Sequence, residues 1–162
     1  MPSRPALAAL AILCVTECAR SPVPLTPAHA AAIGDSVRGA LDELRRHSAA
    51  GQWDSMLLYY ADDPGFRWVE EGVVIVRSVG PIRAKLTGMP PGMRIETTYR
   101  DMDVAALAPG AASVVTGFET AMVDSAGKRF TFGGTLTMAL VHRAGRWQIL
   151  TGHSSTPGRG AP

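Results

Sequence analysis

Between residues 26 and 62 the apolar positions repeat with the period of a helix; beyond residue 93 they repeat with the period of a strand. Ile33, Val37, Leu41 and Leu44 lie three or four residues apart with Ala40 beside them, while Asp42, Glu43, Arg45 and Arg46 occupy much of the remaining surface. Side chains at that spacing share one helix face. Thr26-Pro27 supplies the start, a hydroxyl cap followed by a proline whose missing N–H is harmless in the first turn. Gly51 interrupts the pattern. A second, short helix carries Trp53, Met56, Leu57 and Tyr60 and ends at Asp62-Asp63-Pro64-Gly65, a turn cluster that cannot continue a helix. An extended hairpin follows, with Phe66–Glu70 leading into Glu71-Gly72 and Val73–Val76 returning, and then a short helix over Pro81–Leu86 closed by Gly88.

Glycine turns then recur at Pro109-Gly110, Ala126-Gly127 and Ala144-Gly145, about 17 residues apart, leaving four strands of ten or more residues. The usual strand has about five or six. Long strands in a meander must twist and coil. The predicted fold class is therefore α+β: a strongly curved antiparallel sheet whose concave face receives the apolar stripes of the N-terminal helices.

The last hairpin fixes faces. A two-residue loop at Ala144-Gly145 pairs Arg143 with Arg146, so His142 faces Trp147, Leu140 faces Ile149, Met138 faces Thr151 and Leu136 faces His153. These eight form the core side and end on a histidine at a pocket mouth. Thr135, Thr137, Ala139, Val141, Gln148 and Leu150 form the opposite side, small and semi-polar like a subunit interface. A one-residue bulge would exchange the two sides. The preceding hairpin has two readings: Glu119 shares the face of Leu136, or Thr116, Phe118 and Thr120 do, with Gly133-Gly134 as a bulge that would cause the shift.

The chain has 162 residues and a formal net charge of +2, from arginines spread along it without a basic block. That is enough for one domain and offers no concentrated cationic face for nucleic acid. Arg4 followed by the apolar run Pro5–Thr16 reads as an export signal, since roughly 12 apolar residues fall short of the ~20 that span a bilayer. The expected organisation is a signal over 1–20, a Pro-rich tether over 21–30, a domain over 31–156 and a tail over 157–162, with a periplasmic or extracellular destination. Cleavage at Ala28-His29-Ala30 and a lipid anchor on Cys18 within Val15-Thr16-Glu17-Cys18 are two exits, and the anchor is the only membrane contact expected. Both cysteines, Cys14 and Cys18, lie in the leader, so the domain has no disulfide and no thiol metal site. His29, His47, His142 and His153 lack ligand spacing, and phosphate loops, nucleophile elbows and dinucleotide fingerprints are missing. No metal and no cofactor are expected.

Tyr59-Tyr60-Ala61-Asp62-Asp63, then Phe66-x-Trp68-x-Glu70, and above all Gly145-x-Trp147-x-Ile149-x-x-Gly152-His153-Ser154-Ser155 resemble the nuclear transport factor 2-like superfamily, in its SnoaL-like/DUF4440-type branch. The resemblance covers roughly residues 30 to 156. It implies a cone with a cavity at its wide end and dimerisation through the outer sheet surface, and its members include isomerases, cyclases, dehydratases and non-catalytic binding domains. Fold therefore leaves function open.

Three readings stand. The first is a small-molecule-binding domain without assigned catalysis, its ligand small and apolar or aromatic, lined by Trp53, Tyr60, Phe66, Trp68, Tyr99, Asp101, His153 and Ser155. Aromatic walls with few polar groups describe such pockets. The second is a cofactor-independent isomerase, cyclase or dehydratase. His153 would move the proton, because imidazole titrates near neutrality. The resemblance implies Glu70 as an alternative base, raised by an apolar pocket, although the first helix lacks the tyrosine that would pair with it. Tyr99, Asp101 and Asp103 alternate with Ile95 and Thr97 and either line the cavity or mark where the strand leaves the core. The third reading is an interaction module, a homodimer formed through the outer sheet face.

Overall fold

A computed structural model of the protein describes residues 24–157. The expected signal over 1–20, with Cys14 and Cys18, and the end of the expected tail, 158–162, lie outside the described residues. Helix α1 (Pro27–Ala49) starts where the cap places it: the Thr26 hydroxyl oxygen accepts the His29 backbone N–H at 3.2 Å. Its first turn takes Pro27–Ala30 out of the stretch read as tether. It stops at Gly51, whose φ of 67° requires a residue without a Cβ penalty. Helix α2 (Trp53–Leu57) follows, then strands β1 (Arg67–Glu70) and β2 (Val73–Val76), helix α3 (Val79–Thr87), and the long strands β3 (Arg94–Ala108), β4 (Ala111–Val123), β5 (Arg129–Arg143) and β6 (Arg146–Ser155).

The six strands form one sheet in the order β2-β1-β6-β5-β4-β3. The sheet is mixed rather than wholly antiparallel, because β1 runs parallel to β6, Trp68 beside Gly152 and Glu70 beside Ser154. Tyr60 prolongs that seam: Ile149 N–H donates to the Tyr59 carbonyl at 2.8 Å, and Ala61 N–H to the Ile149 carbonyl at 2.9 Å. The helices cover the concave face. Ile33, Val37, Leu41 and Leu44 are buried there against a sheet surface that includes Val114, Phe118, Leu136, Met138, Leu140, Trp147 and Ile149. In the third turn of α1, Ser36 Oγ accepts the Trp147 indole N–H at 3.1 Å, tying α1 to β6.

The last hairpin has the expected turn and the expected pairs Arg143–Arg146, His142–Trp147 and Leu140–Ile149. Beyond them the register moves. Leu150 is an extra residue on β6, so Ala139 pairs with Thr151, Met138 with Gly152 and Leu136 with Ser154. A bulge of this kind sends every later side chain to the opposite face. In the β4–β5 hairpin, Thr116 lies opposite Leu136 and Phe118 opposite Gly134, the second of the two readings. Its cause is the loop. Val123 pairs with Arg129 around residues 124–128, where Asp124 Oδ1 accepts the N–H groups of Ala126 (2.9 Å) and Lys128 (2.8 Å). The strand pairing through Gly133-Gly134 is unbroken. These glycines answer crowding instead: a Cβ on Gly133 would lie 2.6 Å from the Phe118 carbonyl oxygen, and one on Gly134 2.9 Å from the Ser155 carbonyl carbon and closer still to its oxygen.

Candidate functional site

The concave face assembles an aromatic wall from three separate segments. Tyr60, on the link between α2 and β1, stands with its ring centroid 6.2 Å from Phe66 and 6.2 Å from Trp68. Trp68 lies over Gly152, as its pairing on the parallel seam dictates. Its indole N–H donates to Glu70 Oε1 at 3.2 Å. Across the sheet, Tyr99 of β3 pairs with Phe118 of β4, and Phe118 pairs with Gly134 of β5. Thr97 and Thr120 continue that face, their hydroxyls 2.9 Å apart.

Among the three tyrosines, Tyr59 has a hydroxyl partner among the described residues: it donates to Glu43 Oε2 at 2.5 Å. The Tyr60 and Tyr99 hydroxyls make no such bond. No fully buried side-chain oxygen is left unpaired among the described residues, so both remain within reach of water while their rings, half-buried, pack against the core. Burial pushes the Tyr60 hydroxyl well above the ordinary phenol range, and the nearby Tyr99 hydroxyl adds to the shift. Burial pushes Tyr99 up to about 12, opposed by Arg45 and aided by Asp42 on α1. Both phenols are thus neutral and keep their protons at physiological pH. They can donate hydrogen bonds to a carbonyl or anionic oxygen.

Other expected site residues lie elsewhere. Past the Leu150 bulge, His153 pairs with Thr137 and Val69 on the outer face of the sheet and is exposed. Its expected position on the core face, opposite Leu136, is corrected; Ser154 stands there. Ser155, opposite Thr135, is likewise exposed on the outer side. Asp101 is also displaced. β3 carries a bulge between the pairs Arg100–Gly117 and Asp103–Val115, and Asp101 sits in it with φ 52° and an exposed side chain. The buried Thr116 hydroxyl donates to the Arg100 carbonyl at 2.8 Å beside this bulge. Asp103 then turns outward opposite Val115, so neither aspartate lines the cavity; the strand does not leave the core there, since Met102, Val104 and Ala106 still pack against it. Glu70 keeps the concave side but is exposed at the end of β1, without the apolar enclosure expected of a raised base. Phe66 is fully buried and supports the wall from behind. Trp53 lines a different cleft of about 410 Å³, with Gly51, Thr87, Met89 and Pro90–Arg94.

The structure therefore unites Tyr60, Trp68 and Tyr99 and separates them from His153, Ser155, Asp101 and Trp53. Sequence reasoning missed Ser154, half-buried between Glu70 and Leu136. It also missed Phe132 and Phe130, which extend the Phe118 wall, at ring separations of 6.2 Å (Phe118–Phe132) and 5.9 Å (Phe130–Phe132). The signal for the phenylalanines was present, since Phe130-x-Phe132 alternates with the period of a strand. Among the described residues, no group of three or more His, Cys, Asp or Glu converges as a metal site would need, and no helix is long and apolar enough to cross a membrane.

No family model matches the chain, and no curated protein matches it in sequence. Solved structures do match its fold. A nuclear transport factor 2-like protein of unknown function from Shewanella oneidensis is 20% identical with a TM-score of 0.60, over 76% of this chain and 98% of that one. A provisionally assigned scytalone dehydratase from Novosphingobium aromaticivorans reaches a TM-score of 0.68 at 8% identity, over 81% and 97% of the two chains. The association domain of the C. elegans calcium/calmodulin-dependent protein kinase II has a TM-score of 0.59 at 20% identity, over 78% and 96%. The architecture, a long helix packed on a curved six-stranded mixed sheet, is the nuclear transport factor 2-like fold.

Proposed function

We propose that this protein is an exported small-molecule-binding domain of the SnoaL-like/DUF4440-type branch, without assigned catalysis. The observation that carries the reading is the pair of Tyr60 and Tyr99 hydroxyls, neutral and without a partner among the described residues, beside the Trp68 indole. A mostly apolar or aromatic molecule with one accepting oxygen fits that arrangement: the rings supply contact area and the phenols orientation. The displacement of His153 and the exposure of Glu70 leave the proton-transfer reading without two groups that converge on one substrate position. Export rests on the sequence of residues 1–20 alone.

The test is native mass spectrometry of the protein purified under non-denaturing conditions, beside Tyr60→Phe, Tyr99→Phe and the double variant. A co-purifying mass lost in the double variant supports the site. A bound mass unaffected by both substitutions overturns it. His153→Ala is expected to leave the bound mass unchanged.

A second reading concerns the outer sheet face, where Val115 is 46% exposed among small residues such as Thr135, Thr137 and Ala139. That surface suits a homodimer, and one structure of the same fold is named as an association domain. Analytical ultracentrifugation of Val115→Arg checks it: conversion of a dimer to monomer supports the interface, and a monomeric unsubstituted protein removes it.

A further inference from the structure

At the wide end of the concave face, an apolar track leads from the sheet interior to solvent. Phe118, Phe132 and Phe130 form a ladder of rings whose exposure rises outward, from 6% to 38% to 62%. Three contiguous phenylalanines exposed in this graded way differ from scattered surface apolar residues, which need no explanation. The ladder opens on a groove of about 310 Å³ lined by Met93, Met122, Asp124, Lys128, Arg129 and Phe130. That volume is at the small end of ligand sites, and flexible methionines let such a groove adjust to an aliphatic chain.

The rim is polarised. Glu96 holds both guanidinium groups in the vicinity, Arg129 at 2.8 Å and Arg94 at 3.6 Å. One Asp124 oxygen is taken by the backbone N–H groups of Ala126 and Lys128. The Lys128 ammonium has no ion-pair partner among the described residues, and it stands where the apolar track ends.

We propose that this groove binds a single-chain carboxylate amphiphile, with its aliphatic chain along Phe130 and Phe132, which Phe118 backs from the core, and its carboxylate at Lys128. The shape favours a free chain over a membrane or a protein face. The ladder lies on the inner side of a curved sheet, where a flat bilayer reaches Phe130 but not the buried Phe118, whereas one aliphatic chain seated in the groove at Phe130 extends along the exposed edge of Phe132. The groove adjoins the wall that carries Tyr99 through Phe118, but neither tyrosine lines it, so the proposal does not depend on their hydroxyls.

The test uses the full chain, each variant compared with the unsubstituted protein so that the apolar N-terminal stretch contributes equally. Isothermal titration with decanoate is expected to give saturable one-site binding. Decyltrimethylammonium, with the same chain and the opposite head charge, should bind at least about tenfold more weakly. Phe130→Ser should weaken both by at least about tenfold through lost apolar burial, and Lys128→Glu should reverse the preference between the two heads. Absence of saturable decanoate binding, or equal decanoate affinity in all variants, overturns the proposal. Two further outcomes also overturn it: binding to phosphatidylglycerol vesicles without binding of free decanoate, which makes the patch a membrane face, and a dimer that Phe130→Ser converts to monomer, which makes it a contact between copies. Loss of decanoate binding with retention of a mass dependent on Tyr60 and Tyr99 leaves the preceding reading intact.

Discussion

Gly152 is where the fold leaves no room, and replacing it with alanine tests the position of Trp68 directly. A Cβ there would lie 2.5 Å from Trp68 Cε3 and 2.9 Å from Cη2, closer still to Cζ3. Its φ is not among the positive ones, so the penalty is steric and not a matter of backbone conformation. Trp68 cannot yield freely, because Tyr60 packs beside it and Glu70 accepts its indole N–H. Forcing extra volume into such a site costs about 1–3 kcal/mol. In a folded unit of this size, where each kcal/mol shifts Tm by about 3–4 °C, that corresponds to a fall of about 3–12 °C. Thermal unfolding by circular dichroism measures the fall, and Trp68 fluorescence should shift as the ring moves towards water. A double-mutant cycle supplies the control: in a Trp68→Ala background, Gly152→Ala should be nearly neutral, leaving a coupling of at least about 1 kcal/mol. Gly134→Ala should not be rescued in this way, since backbone rather than a side chain stands in its path. A Gly152→Ala protein as stable as the parent, or one equally destabilised with and without Trp68, would refute the packing described.

Thr116→Val removes the hydroxyl that serves the Arg100 carbonyl beside the β3 bulge, and should cost about 1–2 kcal/mol in urea unfolding. Asp63, bonded by Arg143 and by the Gly65 N–H, has its carboxyl held below the usual carboxylate range. Its contribution is therefore present above that range and lost as pH falls through it. The Tm difference between parent and Asp63→Asn should be present at pH 7 and vanish in acid. Tyr99 works in the opposite direction: its raised folded pKa gives a stabilising contribution that is full below pH 10 and declines as pH rises towards about 12. Ultraviolet titration of tyrosinate should lose a component near pH 12 in Tyr99→Phe, and persistence of that component would assign it to another tyrosine.

Element by element, the chain was readable wherever local chemistry decides the outcome. Thr26-Pro27 starts α1 because capping is local, and Ala144-Gly145 makes a two-residue turn because its φ values of 49° and 76° suit few other pairs. From that turn the pairs as far as Leu140–Ile149 follow by counting. Counting fails at Leu150 and at Asp101, where a single inserted residue depends on how neighbouring strands coil and leaves no mark in composition. His153 was misplaced for this reason alone. The parallel pairing of β1 with β6 was equally hidden, since it joins segments some eighty residues apart without a turn between them. Trp53, Tyr60, Phe66 and Trp68 were legible as an aromatic set and Tyr99 as a candidate lining residue, but the separation of Trp53 from the others depends on the path of α2, which periodicity does not fix.

The parallel seam also orders events in time. β6 is the last of the described strands yet lies between β1 and β5 in the sheet. Until Arg146–Ser155 has been synthesised, β1 and β2 have no sheet to join, Trp68 has no floor, and Trp147 is not there to bond Ser36 of α1. A nascent chain of this design has made the other five strands before its central strand, and closes only when that strand arrives. Removing that strand should therefore yield an open, aggregation-prone chain rather than a smaller stable one.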